Sequence, residues 1–151
     1  ITGGAGNDTL DLSGRAGNMT VVLDGLTPGG ELFEGDLYGT DIETVQGGGG
    51  ADVITGNAQS NTLNGNGGND TLGGETGVDT LNGGADDDKL WGDDTADHAS
   101  DTPLALHGND LLDGGVGQDT LLGGGRDDAL WGGIGNDELE GQVVLPVVRR
   151  P

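Results

Sequence analysis

At 151 residues the chain is long enough for one domain, but 35 Gly, 31% hydrophobic residues and 3% aromatics are too little for a conventional two-layer core. Its 27 acidic against 5 basic residues give a formal net charge of -22, which repels nucleic-acid phosphate and anionic membrane surfaces. Composition alone points to disorder unless a multivalent cation intervenes; the absence of Cys excludes disulfides and thiolate chemistry, and no apolar run approaches membrane-spanning length.

In chain order, Ile1-Thr2 reads as the tail of a preceding unit, so the chain is read as a piece of a larger polypeptide. Residues 1–11 close a first repeat block with GGAGNDTLD (3–11). Residues 12–46 break the pattern: Met19 to Leu23 reads as a strand, Thr27-Pro28-Gly29-Gly30 as a turn, and Ile42 and Val45 lead into the next loop. This insertion is predicted to hold an outward hairpin and rungs without a bound ion. Residues 47–91 are five nonapeptides: GGGGADVIT, GNAQSNTLN, GNGGNDTLG, GETGVDTLN and GGADDDKLW. Residues 92–107 interrupt again. HGNDLLD (107–113) then opens the block 108–140, which continues with GGVGQDTLL, GGGRDDALW and GGIGNDELE. The tail 141–151, GQVVLPVVRRP, is either an apolar cap over an open end or an artefact of truncation.

The period divides into two tasks. Positions one to six are Gly-rich and turn the chain. Positions seven to nine form a very short strand whose eighth residue points to one face. No unit buries its Leu alone. Stacking two units per turn of a coil would bring Leu10, Ile54, Leu63, Leu72, Leu81, Leu90, Leu112, Leu121, Leu130 and Leu139 into one interior, with successive turns paired in parallel. The predicted fold is all-β, a parallel β-roll, that is, a flattened right-handed β-solenoid. Position nine should then face outward, and Trp91 and Trp131 with it.

Stacking places the loop of each unit against the loop two units on, an Asp in each. Facing carboxylates repel unless a cation sits between them. Hard oxygen donors with nearby backbone carbonyls suit Ca²⁺; Mg²⁺ demands a tighter octahedron, and Zn²⁺ prefers Cys or paired His.

The nonapeptide G-G-x-G-x-D-x-L-x over 3–11 and 47–140 resembles the repeats-in-toxin (RTX) family of hemolysin-type calcium-binding repeats. Gly39 to Val45 is similar to the Gly-x-x-Ile-Glu-x-Val approach that precedes such repeats. The resemblance implies a β-roll with several Ca²⁺ ions between stacked loops, in a secreted toxin, adhesin or exoenzyme of a Gram-negative bacterium, folding outside the cell after type I secretion. It implies ligands at the sixth positions: Asp8, Asp52, Asp70, Asp79, Asp88, Asp110, Asp119, Asp128 and Asp137, with Asn61 a weaker stand-in. Carbonyls of loop glycines, among them Gly48, Gly50, Gly68, Gly77, Gly108, Gly117, Gly125 and Gly135, would complete the shells. Expected stacked pairs are Asp52 with Asp70, Asp70 with Asp88, Asp110 with Asp128, and Asp119 with Asp137, and more weakly Asn61 with Asp79. Gln59, Asp86 and Arg126 depart from the pattern at the fourth position, Arg126 most because it adds a positive charge.

Across 92–107, one reading is a single long loop, which stacks Asp79 on Asp110 and Asp88 on Asp119. The other makes 92–100 a poor rung with Asp97 at position six; the weak core residue Ala99 disfavours it. His98 and His107 are read as solvated, as are Asp87, Asp93, Asp94 and Asp127. No HExxH or GxSxG motif is present, so the chain is not expected to be an enzyme. The expected partners are calcium and the rest of a larger polypeptide, not nucleic acid, and the chain is expected to be a monomer. A glycan or cell-surface partner near Trp91 or Trp131 is the rival reading, as is a non-catalytic extension of a secreted protease, lipase or epimerase.

Overall fold

The structure, a computed structural model, describes residues 1–31, 34–93 and 107–141. Most strands cover only positions seven to nine of a unit, while the fifth, seventh and ninth run on through the following Gly for six residues in all. The strands are β1 (Thr9–Asp11), β2 (Thr20–Val22), β3 (Thr44–Gln46), β4 (Val53–Thr55), β5 (Thr62–Gly67) and β6 (Thr71–Gly73). They continue with β7 (Thr80–Ala85), β8 (Lys89–Trp91), β9 (Leu111–Val116), β10 (Thr120–Leu122), β11 (Ala129–Trp131) and β12 (Glu138–Glu140).

The chain alternates between two sheets. Odd-numbered strands form one, in the order β1-β3-β5-β7-β9-β11, and even-numbered strands form the other, β2-β4-β6-β8-β10-β12. Every strand pairing in both is parallel. The fold is therefore a parallel β-roll, with no helix among the described residues.

Register follows the repeat. Leu63 stands opposite Leu81, and Leu72 opposite Leu90, eighteen positions on. Across the second interruption Leu81 faces Leu112 and Leu90 faces Leu121, thirty-one positions on. The interruption thus adds thirteen residues and no turn of the coil, which is the register of the long-loop reading. Residues 94–106, with His98 and the alternative Asp97, lie outside the described residues.

The interior is two columns of eighth-position side chains. Leu10, Val45, Leu63, Leu81 and Leu112 come from one sheet, Val21, Ile54, Leu72, Leu90 and Leu121 from the other, and all are buried. Two expected members depart. Leu130 is only partly buried, and Leu139 is 45% exposed. Both sit in the last turns, β11 and β12, where no further described strand stacks over them. The proposed cap, residues 142–151, lies outside the described residues.

The first interruption is built around side chains. Met19, Leu23 and Tyr38 are buried there, and Tyr38 joins the core cluster. Arg15 Nη1 reaches Glu34 Oε1 at 2.8 Å. The expected turn at Thr27–Gly30 is displaced: Gly30 forms an antiparallel bridge with Thr20, and Gly29 with Asp36. The chain bends earlier, where Asp24 Oδ1 accepts the Leu26 and Thr27 N–H groups, an Asx arrangement that anchors the bend before the glycines.

Trp131 is exposed, but Trp91 is 9% exposed and buried, against the expectation for position nine. Its register partners are Leu122 on one side and Gly73 on the other. Gly73 presents no side chain, which leaves an indole room to lie against the sheet.

Candidate metal centres

The sixth residue of each unit immediately precedes a strand, so the register of the sheets stacks these residues into two columns. One column runs Asp8, Glu43, Asn61, Asp79, Asp110 and Asp128, preceding β1, β3, β5, β7, β9 and β11. The other runs Asp52, Asp70, Asp88, Asp119 and Asp137, preceding β4, β6, β8, β10 and β12. Glu43 is an acidic position that the nonapeptide pattern passed over. It precedes Thr44-Val45 as Asp precedes Thr-Leu elsewhere, and it is the Glu of the Gly-x-x-Ile-Glu-x-Val approach at Gly39 to Val45. Its Oε2 accepts the Asp8 N–H at 2.8 Å.

Within each column the bonding repeats. The Asp52 N–H donates to Asp70 Oδ1 at 2.8 Å, the Asp70 N–H to Asp88 Oδ1 at 2.8 Å, and the Asp88 N–H to Asp119 Oδ1 at 2.9 Å. In the other column Asn61 donates to Asp79 at 2.7 Å, Asp79 to Asp110 at 2.8 Å, and Asp110 to Asp128 at 3.0 Å. Asp119 to Asp137 closes the series at 3.2 Å. One oxygen of each carboxylate is therefore committed to the preceding turn.

The other oxygen is not. Oδ2 of Asp70, Asp79, Asp88, Asp110, Asp119 and Asp128 is buried with no hydrogen-bond partner. A buried carboxylate oxygen left unpaired is costly. Burial, opposed by the backbone N–H donors and reinforced by neighbouring carboxylates, pushes Asp70, Asp79, Asp88 and Asp110 up to about 7. Burial also raises Asp119 and Asp128. A row of half-satisfied acids, each facing others across one turn, has the donor chemistry of a hard divalent cation with oxygen ligands. Asp52 differs: its Oδ2 accepts the Gly48 N–H at 2.8 Å.

The glycines explain how the carboxylates reach these places. A Cβ on Gly74 would lie 2.5 Å from Asp79 Oδ2, and one on Gly114 would lie 2.5 Å from Asp119 Oδ2. The first residue of the unit is the floor over which the sixth folds back. The fourth position is where loops stack: a Cβ on Gly68 would lie 2.7 Å from Gly50 O, and one on Gly77 would lie 2.6 Å from Gln59 O. A Cβ added to Gly108 or Gly135 would come closer still to the carbonyls of Gly77 and Gly117 respectively. Gly125, by contrast, spends its N–H on Asp93. Two of the three fourth-position departures adopt the glycine conformation, Asp86 at φ 77 and Arg126 at φ 79, at a cost of about 1 kcal/mol each.

Gln59 is not among the residues with positive φ. Its loop is held by amides instead. Asn57 Oδ1 accepts the Gln59 N–H, Gln59 Nε2 donates to Thr40 O at 2.8 Å, and Asn61 Nδ2 donates to Ile42 O at 3.3 Å. Neutral donors there meet the carbonyls of the preceding turn.

Two residues expected to be solvated are not. Asp93 is 5% exposed, and the His107 side chain is 9% exposed with Nδ1 3.3 Å from Asp93 Oδ2. Both flank residues 94–106, and neither carried a repeat signal. Asp87 and Asp127 are exposed, as expected.

A coil of parallel strands whose turns face one another through buried carboxylates is a cation-binding β-roll. The family model of the RTX calcium-binding nonapeptide repeat matches four stretches, residues 1–18, 38–72, 73–99 and 107–139, and the chain belongs to that family. Its repeats are calcium-binding, and the donor set described here fits that ion. A comparison with curated proteins returns no match.

Proposed function

We propose that this β-roll is a calcium-driven folding module of a secreted protein, not itself an enzyme. The observation that carries this reading is the stack of buried, unpartnered Oδ2 atoms on Asp70, Asp79, Asp88, Asp110 and Asp119. The sixth-position aspartates and the carbonyls of the stacked loop glycines are the proposed ligands. Calcium supplies positive charge between facing turns. Without it, a chain of net charge -22 has only one buried aliphatic per short unit to oppose self-repulsion. Binding energy then becomes folding energy. Such a chain would stay open in a low-calcium cytosol and close outside, which suits type I secretion from a Gram-negative bacterium as part of a toxin, adhesin or exoenzyme. Far-ultraviolet circular dichroism during a calcium titration, with magnesium as control, tests the switch. A cooperative gain of β signal with calcium alone is expected; a full β signal in chelator would overturn it.

A second reading rests on Trp131, 55% exposed at the end of an outward row that runs in register through Asn64, Asn82 and Asp113. An aromatic ring beside amide and carboxylate groups is the chemistry that grips a glycan. Glycan binding lost on Trp131→Ala, with calcium-induced folding retained, would favour it.

A further inference from the structure

Among the described residues Asp93 is the one buried acid that does not occupy a sixth position. It stands one position after Gly92, where most other units carry a second Gly or Asn and no acid is buried. Its side chain lies over Gly124, whose added Cβ would come 2.7 Å from Asp93 Cβ. Both of its oxygens are held by backbone: Oδ1 accepts the Gly108 N–H and Oδ2 the Gly125 N–H, each at 2.9 Å. A carboxylate fixed by two main-chain donors is pre-oriented, and His107 Nδ1 stands 3.3 Å from its Oδ2. Oxygens of Asp93, Asp110 and Asp128 all lie within 4.8 Å of one another. Asp110 is 3% exposed, and its Oδ2, like that of Asp128, is buried without a partner.

We propose that Asp93 is a third carboxylate ligand of a divalent cation held between the Asp110 and Asp128 loops, making this the most highly charged and tightest calcium site among the described residues. The inference rests on the calcium reading above and adds to it a ligand the nonapeptide does not encode. Elsewhere two sixth-position carboxylates face each other across a turn; here a third converges from a different part of the loop. Ligand charge count is what sets calcium affinity among oxygen sites of similar geometry. His107 stands beside Asp93 rather than within the triad, so the donors at the centre are oxygens and the site suits calcium over a metal that selects imidazole. Occupancy would also bind the chain just before residues 94–106 to the chain just after them, closing that interruption at its base.

Calcium titration calorimetry on the full chain and on Asp93→Asn tests this. The wild type should show a tight class of site that fills first, and the variant should lose that class, its first-site affinity falling at least tenfold while the weaker sites persist. A variant that titrates like the wild type would overturn the assignment. A wild type that binds no calcium at all would instead overturn the broader reading. A second measurement does not depend on that variant folding. In a Trp131→Phe chain the remaining indole is Trp91, two residues from Asp93. Terbium emission excited through it should saturate within the first equivalent bound; emission rising evenly over all equivalents would count against the site.

Discussion

Each sixth-position aspartate faces two ways. Asp70 accepts the Asp52 N–H at Oδ1 and donates its own N–H to Asp88 Oδ1, so it takes part in the contacts on both of its sides. Asp70→Ala should therefore damage two adjacent calcium sites, raising the calcium midpoint several-fold and lowering the cooperativity read by circular dichroism; unchanged folding would refute the stacked pairing. Asn61 permits the converse test. Its amide already donates to Ile42 O, which a carboxylate cannot do. Asn61→Asp should weaken whatever structure persists in chelator, by roughly 1–3 kcal/mol for a buried group left unpaired, and should shift the calcium midpoint upward rather than create a better site. Thermal melts in chelator and in calcium would separate the two effects. Gly74→Ala belongs to the same scale: its methyl group would occupy the space of Asp79 Oδ2, so calcium affinity should fall even though no ligand has been removed.

Among the elements, the second interruption gives the plainest expectation. Leu81 pairs with Leu112 thirty-one positions on, where the repeat uses eighteen, so removing residues 94–106 restores the ordinary spacing without disturbing β7 or β9. The deletion should leave the calcium-induced β signal intact, and its loss would mean those residues help to build the roll. The columns of Leu63, Leu81 and Leu112 and of Leu72, Leu90 and Leu121 were legible because each of these strands buries one aliphatic side chain and the period repeats it in phase. The sixth-position columns were legible for the same reason. What escaped was set by non-periodic contacts. Glu43 gained its place from a register thirty-five positions long, Thr9 to Thr44, which no nine-residue count reaches. Asp93 and His107 became buried because the ends of the interruption fold onto Gly108, Gly124 and Gly125. Trp91 sank because its neighbour is Gly73, a fact of the pairing rather than of position nine. Leu139 kept the right residue type but had no described strand beyond it.

At the scale of the whole molecule, acidity and folding are linked through the buried aspartates. Asp70, Asp79, Asp88 and Asp110 are pushed up to about 7 in the folded roll, while an unfolded carboxylate titrates near about 4. A raised folded value means that the folded state binds more protons, so in chelator acidification favours folding. The benefit is absent above about 7, grows as the pH falls through that value, and is complete below the unfolded value. In chelator the β signal should therefore rise between pH 8 and pH 5. With calcium present the same protons compete for the ligands, so the calcium midpoint should move to higher concentration over the same range. A signal in chelator indifferent to pH would show that these carboxylates are not buried as described. The column bonds also have a direction. In every case the main-chain N–H belongs to the earlier turn and the accepting carboxylate to the later one, from Met19 on Asp52 to Asp119 on Asp137. The backbone bonds beside them run the other way, from the Thr71 N–H to Asp52 O at 2.8 Å and from the Lys89 N–H to Asp70 O at 2.9 Å. Each turn therefore both lends acceptors to its neighbour and borrows them from it, so the roll is zipped from either end by the same alternating exchange.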